Sequence, residues 1–111
     1  MKRTFLGEFE EIVLLTVASL RENAYAVTVT QELETKTGRQ VGFSSVHTTL
    51  QRLEEKAYLT SVMGGATAER GGRRKRFFMV TALGQKVLSE VKTVRDELWS
   101  TLPSEFQLTN G

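Results

Sequence analysis

The first part of the chain alternates apolar and polar residues with a helical period. Apolar or small side chains recur at three- and four-residue intervals, which predicts a helix over about 6–21. These side chains belong to Phe5, Phe9, Ile12, Val13, Thr16, Val17 and Leu20. Leu14 and Leu15 make this helix apolar on nearly every side. Such a helix is buried on more than one face, so we expect it to contact its own core and a second subunit. A central helix within a monomer is the alternative.

A second helix is predicted over roughly 26–37, with Val29 and Leu33 one helical turn apart. Gly38 suits the left-handed conformation that commonly ends a helix. A short break over 39–43 then leads to a third helix.

The third helix is predicted from about Ser45 to Lys56, with Ser44 as its N-cap. Its core face carries apolar residues at i, i+4 and i+7, namely Val46, Leu50 and Leu53. At about 100° per residue the opposite face is polar, and acids appear only at its C-terminal end. The outward residues of its N-terminal part are Ser44, Ser45, His47, Thr48, Gln51 and Arg52.

Two apolar helices, a tight turn and a helix with a short polar face predict a helix-turn-helix. Hydroxyl, amide, imidazole and guanidinium groups can enter a major groove and bind base edges. The same residues could simply coat a surface helix, and this segment alone does not decide between the two readings.

Two strand-like runs, Tyr58–Met63 and Lys75–Thr81, enclose a glycine-rich loop and predict a β-hairpin. The descending side of this hairpin carries the cationic cluster, which we define as residues 70–76, with five Lys/Arg in seven positions. The rest of the chain is mildly acidic, since residues 1–69 sum to −2 and residues 77–111 to −1. A concentrated cationic field attracts polyanions, of which nucleic acid is the commonest. A solvated loop is the alternative.

A last long helix is predicted over about 82–101, with Thr81 as its cap and Pro103 beyond its end. Apolar residues follow a 4-3-4 spacing that predicts an association surface, made of Val87, Leu88, Val91, Val94, Leu98 and Trp99. A helix that folds back on its own subunit is the alternative. The predicted organisation is a DNA-binding domain over 1–81, a dimerisation helix over 82–103 and a tail over 104–111.

Composition restricts the function classes. The chain is 40% hydrophobic and 25% charged, which is typical of a globular domain. Because there is no cysteine, disulfides, zinc thiolates and thiol catalysis are excluded. His47 is the only histidine, and no phosphate-binding glycine–lysine motif occurs. We therefore expect no catalytic residue, metal or cofactor, no membrane span, and a cytoplasmic location.

Several segments together resemble the PadR family of bacterial transcriptional regulators over nearly the whole chain. They are Leu6–Glu11, Ala24–Val27, Thr48–Lys56, the most specific stretch Glu69–Phe78, and Val80–Gly84. The resemblance implies an α+β, mostly helical fold: a winged helix-turn-helix with a two-stranded β wing and one C-terminal dimerisation helix. It implies a homodimeric repressor of operator DNA. In some relatives a planar aromatic effector binds between the subunits, where Trp99 would line the site or serve only as interface packing.

The chain departs from the family pattern at three positions. Tyrosine is usual where His47 stands, so the contact made there is expected to differ. Glycine is usual where Ala26 and Ala57 stand, and Ala57 follows the third helix, which would then end without a left-handed glycine.

The sequence is compatible with two functions of different classes. The first is a DNA-binding regulator in which Arg70, Arg73, Arg74 and Lys75 of the wing contact phosphates while the third helix reads bases. The second is a protein-interaction module that uses a winged helix without binding DNA. A docking module has no need of five clustered cations, which favours the first. A helix-turn-helix suits the major groove of B-form DNA better than the narrow one of RNA.

Overall fold

The computed structural model describes residues 6–64 and 74–106. Four α-helices and a two-stranded antiparallel sheet follow one another in the order α1, α2, α3, β1, β2, α4. Short 3-10 turns follow α1 and α4. The bounds are α1 Glu8–Leu20, a 3-10 turn Arg21–Asn23, α2 Ala26–Thr37, α3 Phe43–Glu55, β1 Leu59–Gly64, β2 Lys75–Val80, α4 Ala82–Ser100 and a 3-10 turn Ser104–Phe106.

The hydrophobic core lies where α1, α2 and α3 meet the sheet. The predicted core residues of α2 and α3 are almost fully excluded from solvent. In α1 the same holds for Val13 and Val17, whereas Phe9, Ile12 and Leu20 are partly buried and pack against the core. The sheet and α4 close the core from the side. The buried hydrophobic residues are Val13, Leu14, Val17, Ala24, Val29, Leu33, Val46, Leu50, Leu53, Tyr58, Leu59, Phe78 and Val87.

The first helix is not enclosed on every side. Leu14 is buried, but its neighbour Leu15 keeps 47% of its surface exposed. The helix begins at Glu8, where Gly7 N donates to Glu10 Oε1 at 3.1 Å and so satisfies an amide that the first turn leaves unpaired. α1 thus presents one large apolar side chain, Leu15, to the outside of the protomer.

The turn between α2 and α3 depends on two glycines. Gly38 has φ of 70° and ends α2 as predicted, with its amide donating to the Glu34 carbonyl at 2.9 Å. The prediction that Ser44 caps α3 is wrong. The helix begins two residues earlier than predicted, at Phe43, because Gly42 takes φ of 83° and turns the chain directly into the helix. Ser44 is therefore a helical residue with an exposed side chain.

α3 ends in a left-handed residue that is not glycine. Ala57 has φ of 69°. The Ala57 amide donates to the Glu54 carbonyl at 2.9 Å, and the Tyr58 amide donates to the Leu53 carbonyl at 3.0 Å, which together form a Schellman motif. A side chain in this region costs about 1–2 kcal/mol, which the local hydrogen bonds and the burial of Tyr58 offset.

The two strands form a hairpin that is joined to the helical core. Leu59 pairs with Val80 at its base and Gly64 with Lys75 near its tip. Phe78 is buried, and its amide donates to the Ala24 carbonyl at 2.8 Å, which fastens β2 to the segment between α1 and α2. The wing therefore leaves the core at a fixed angle.

α4 begins on the sheet and then leaves the core. Thr81 caps it as predicted, accepting from the Gly84 amide at 3.0 Å. Gly84 is buried so tightly that a Cβ there would overlap the Tyr58 carbonyl. The 19-residue helix is about 28 Å long. The radius of gyration of the chain is 16.7 Å, against about 13 Å for a compact domain of this size. Much of α4 thus projects beyond the rest of the protomer.

Candidate nucleic-acid interface

The outer face of α3 is polar and fully accessible. Its core side is sealed by Val46, Leu50 and Leu53, each with no exposed surface. Every side chain that the sequence assigned to base contact lies exposed on the other side of the helix, at Ser44, Ser45, His47, Thr48, Gln51 and Arg52. The structure therefore brings these six predicted residues together on one surface.

Charge is distributed unequally along α3. No acid occurs in its first turn, and the partial positive charge of the helix N-terminus adds to this end. The acids Glu54 and Glu55 lie at the C-terminal end. The N-terminal half is therefore the half that a polyanion can approach.

Three cations of the wing lie in the described residues, and two of them make no hydrogen bond to α3 through the strands. Arg74 and Lys75 have exposed side chains at the start of β2. Lys75 Nζ lies 4.6 Å from the centroid of the Tyr25 ring, which in turn meets Phe77 edge-on at 5.2 Å. The cation–π contact places the start of β2 against the start of α2. Arg70 and Arg73, which the sequence also assigned to DNA contact, lie outside the described residues.

Arg76 belongs to the cationic cluster but has a different role. Arg76 Nη1 donates to Ser61 Oγ at 3.0 Å, and Ser61 Oγ donates to Glu54 Oε2 at 2.6 Å. This chain of hydrogen bonds joins both strands of the wing to the C-terminal turn of α3. We therefore assign Arg76 to holding the wing against α3.

A shallow depression unites the helix and the wing. It lies between the start of α2, the outer face of α3 and the first four residues of β2. His47 of α3 and Lys75 of the wing, both predicted as DNA contacts, border this one concavity. Its lining residues are Tyr25, Ala26, Val27, His47, Lys75, Arg76 and Phe78. The two predicted contact surfaces are therefore continuous.

Two aromatic residues beside this surface were not predicted as site residues. Tyr25 supports Lys75, and Phe43 stacks on His47 with ring centroids 6.0 Å apart and planes inclined by 26°. The sequence placed Phe43 in the break before α3, so its one-turn spacing from His47 went unused. That spacing is the signal that could have identified it.

The predicted association surface on α4 passes from buried to exposed along the helix. Val87 is only 3% exposed and packs in the core of its own subunit. Leu88, Val91 and Val94 are half-buried. Leu98 and Trp99 are 63% and 60% exposed, so two large apolar side chains lie in water at the far end.

One ion pair anchors α4 near the middle of its projecting part. Arg95 Nη2 donates to Glu11 Oε1 of α1 at 2.7 Å. The hydrogen bond from Arg95 to Glu11 and the attraction of the Glu11 charge raise the pKa of the Arg95 guanidinium. The ion pair fixes the direction of α4 relative to α1, while the apolar residues beyond it stay uncovered.

The family assignment follows from a match of the sequence to a family model. Residues 14–90 match the model of the transcriptional regulator PadR-like family, which spans α1 to the middle of α4. The chain belongs to the PadR-like family of transcriptional regulators. The predicted fold, a winged helix-turn-helix with a two-stranded wing, is confirmed.

Solved structures of PadR-like proteins share this fold. A PadR-like transcription factor from Bacteroides fragilis has a TM-score of 0.70 and 22% identity, with 84% of each chain covered. A PadR-like regulator from Bacillus cereus has a TM-score of 0.70 and 18% identity, with 91% of this chain and 93% of that chain covered. A PadR family regulator from Eggerthella lenta has a TM-score of 0.67 and 22% identity, over 92% and 88% of the two chains. At these identities the likeness concerns the fold.

A search of curated protein sequences found no match to this chain. Within residues 6–64 and 74–106, no helix is long and apolar enough to cross a membrane. In the same residues, no group of three or more His, Cys, Asp or Glu side chains is placed to hold a metal ion.

Proposed function

We propose that this PadR-like regulator acts as a homodimer that binds operator DNA and represses transcription. The observation that carries the proposal is the continuity of two surfaces. The acid-free N-terminal half of α3 borders the same depression as Lys75 of the cationic wing. A helix with short polar side chains fits a major groove, and a cationic hairpin beside it fits the adjacent phosphates.

The two surfaces have different roles in this proposal. Ser44, Ser45 and His47, with Thr48, Gln51 and Arg52, form the base-reading group because hydrogen-bonding side chains on an exposed helix can reach base edges. The wing residues Arg70, Arg73, Arg74 and Lys75 form the phosphate-contacting group. Phosphate contacts supply affinity and register with little sequence information.

Dimerisation is proposed from the projecting part of α4. Leu98 and Trp99 expose most of their surface, Val91 and Val94 are half-buried, and Leu15 of α1 is exposed as well. A second copy of the same helix would remove these side chains from water. We leave Val87 out of the proposed interface because it is buried in its own subunit, whereas Leu88, half-buried at the edge, stays within it.

Repression and its relief form the finer part of the proposal. A dimer bound across a promoter excludes other proteins from the same DNA, which is repression by occupancy. We further propose that a planar aromatic effector binds between the subunits against Trp99, whose indole is 60% exposed in the protomer. Titration of the protein with planar cationic drugs should then change its tryptophan fluorescence. No response across a drug panel would leave Trp99 as interface packing.

Selection of random duplex DNA by the purified protein tests the function. We expect recovery of an inverted repeat, because a two-fold dimer presents two equivalent copies of α3. A protein-interaction module is the alternative, and it predicts no enriched duplex sequence. Recovery of single sites without two-fold symmetry would contradict the dimer but not DNA binding. A parallel selection with RNA should recover nothing.

A further inference from the structure

An exposed aromatic ring lies at the start of α3. Phe43 is the first residue of the helix, and 49% of its surface is in contact with solvent. The residues of the proposed base-reading group all carry hydrogen-bonding side chains, and Phe43 is the one large apolar residue of α3 that is exposed. Single exposed apolar residues are common on proteins, so exposure alone assigns no role.

The Phe43 ring lies against a second ring of the same helix. His47 lies one turn further along the helix and stacks on Phe43, with centroids 6.0 Å apart and an angle of 26° between the planes. At about 100° per residue the two side chains leave the helix about 40° apart. His47 also borders the depression that contains Val27 and Lys75. Phe43 is therefore held at the edge of the surface that faces DNA in the proposed function.

The chemistry of the major groove suggests what such a ring contacts. Base edges there present hydrogen-bond donors and acceptors, with one apolar exception, the 5-methyl group of thymine. In the base-reading group the methyl group of Thr48 could also contact it, but a phenyl ring offers a larger apolar surface and removes more of the thymine methyl group from water. The N-terminal residues of a recognition helix are those that contact base edges.

We propose that Phe43 is a specificity-determining residue that reads the 5-methyl group of one thymine in each half-site of the operator. This inference rests on the proposed function, since it needs α3 in the major groove. His47 acts as a positioning residue for the ring. Phe43 adds an apolar contact to the polar readout by Thr48 and Gln51.

Replacement of thymine by deoxyuridine tests the proposal at the level of one methyl group. Deoxyuridine keeps base pairing and the O4 acceptor. After selection of an operator, each thymine is replaced singly, and the affinity of the full-length protein is measured for each duplex. We expect one position per half-site at which the wild-type protein binds about fourfold more weakly, the loss that corresponds to one buried methyl group. Replacement in both half-sites should weaken binding about fifteenfold.

Variants of Phe43 separate a methyl contact from other roles. Phe43→Ala should bind the thymine and deoxyuridine duplexes equally, whereas Phe43→Leu should keep part of the preference. Phe106→Ala is the matched control, because Phe106 is 51% exposed and lies in the 3-10 turn after α4. It should keep the full preference for thymine even if its overall affinity changes.

The outcomes distinguish failure of this inference from failure of the function. If a selected operator is bound equally well with deoxyuridine at every position, the inference is wrong while DNA binding stands. If Phe43→Ala weakens binding to thymine and deoxyuridine duplexes by the same factor, the ring contacts the sugar–phosphate backbone or supports the helix, and the inference is again wrong. If no duplex is enriched, the proposed function fails and the inference fails with it.

Discussion

The helices α3 and α4 differ in where they place their apolar residues. In α3 the core residues Val46, Leu50 and Leu53 are buried within one protomer, and the polar side faces solvent. In α4 only Gly84 and Val87 are buried, and exposure of the apolar residues rises from 3% at Val87 to 63% at Leu98. Both helices are amphipathic, but α3 has its apolar partners inside the chain while the end of α4 has none among the described residues.

This difference relates each helix to one kind of binding. A helix whose apolar face is buried within its own protomer can bind DNA through its polar face without loss of stability. A helix whose apolar face is open gains stability when a second copy covers it. A mutation on the open face of α4 should therefore change association and leave the fold intact, while a mutation on the sealed side of α3 would unfold the protein.

A charge at Leu98 should have the largest effect. Leu98→Glu would place a carboxylate in the proposed interface, at a cost of about 3 kcal/mol or more, so the dimer dissociation constant should rise at least a hundredfold. Thr93→Glu, on the opposite side of α4, is the matched control and should leave association unchanged. Sedimentation equilibrium checks both. A wild-type chain that sediments as a monomer at micromolar concentration would overturn the proposed dimer.

A methyl group at Gly84 should disturb the buried start of α4, where the helix packs on the sheet. A Cβ there would overlap the Tyr58 carbonyl and approach Val80 Cγ1 to 2.8 Å. Overpacking of this kind costs about 1–3 kcal/mol, so Gly84→Ala should lower the denaturant midpoint. Gln85→Ala, at an exposed neighbouring position, should have little effect. An unchanged midpoint in Gly84→Ala would mean that α4 is not packed on the sheet at this point.

The end of α3 offers a stabilising change. Ala57 has φ of 69°, which a glycine adopts without strain. Ala57→Gly should therefore raise the free energy of unfolding by about 1 kcal/mol. Ala18→Gly, at an exposed site in the interior of α1, is the control and should lower it by a similar amount. Urea denaturation of the three proteins measures this, and a loss of stability in Ala57→Gly would contradict the left-handed geometry.

An ion pair at the same end of α3 predicts a small pH effect. Burial alone would raise the pKa of the Glu10 carboxyl. Hydrogen bonds from Lys56 Nζ at 2.8 Å and from the Gly7 amide lower it by more than burial raises it, so the pKa lies below its ordinary value. The folded state therefore gains stability above the ordinary value of 4.5, and this gain is lost as the pH falls through the lowered pKa.

The matching experiment compares Glu10→Gln with the wild type in urea at pH 7 and pH 3. We expect the difference between the two proteins, less than about 1 kcal/mol at pH 7, to shrink at pH 3. A difference that does not depend on pH would show that Glu10 contributes nothing through its charge.

Periodicity identified the helices well because each one has an uninterrupted apolar face. The bounds of α2 agree with the prediction, and α4 ends within one residue of it. The start of α3 was misplaced because serine is a common N-cap, whereas here Gly42 makes the turn through a positive φ that composition does not reveal. Backbone conformation at Ala57 was likewise not apparent from the residue type.

Pairs of residues distant in sequence could not be predicted. The contact of Lys75 with Tyr25 and the hydrogen bonds from Arg76 through Ser61 to Glu54 depend on the angle between the wing and the helices. The sequence showed which residues are cationic, but only the fold separates Lys75, directed at the start of α2, from Arg76, which is joined to α3. Heptad spacing likewise could not show whether Val87 packs in the core of its own subunit or in an interface between subunits.

The salt dependence of DNA binding in variants of α3 and of the wing tests the proposed division of base and phosphate contacts most directly. Affinities for the selected operator and a scrambled duplex are measured at several salt concentrations, with Lys86→Ala on α4 as the control. Arg74→Ala removes two phosphate contacts per dimer, so the slope of log affinity against log salt should fall by nearly 2 with sequence preference unchanged. Thr48→Ala and Gln51→Ala should keep the slope. Each lost base contact should reduce the preference for the operator over the scrambled duplex by about 1–3 kcal/mol. Wing variants that lose preference while helix variants lose only salt dependence would reverse the assignment, and no change in either would contradict DNA binding by this surface.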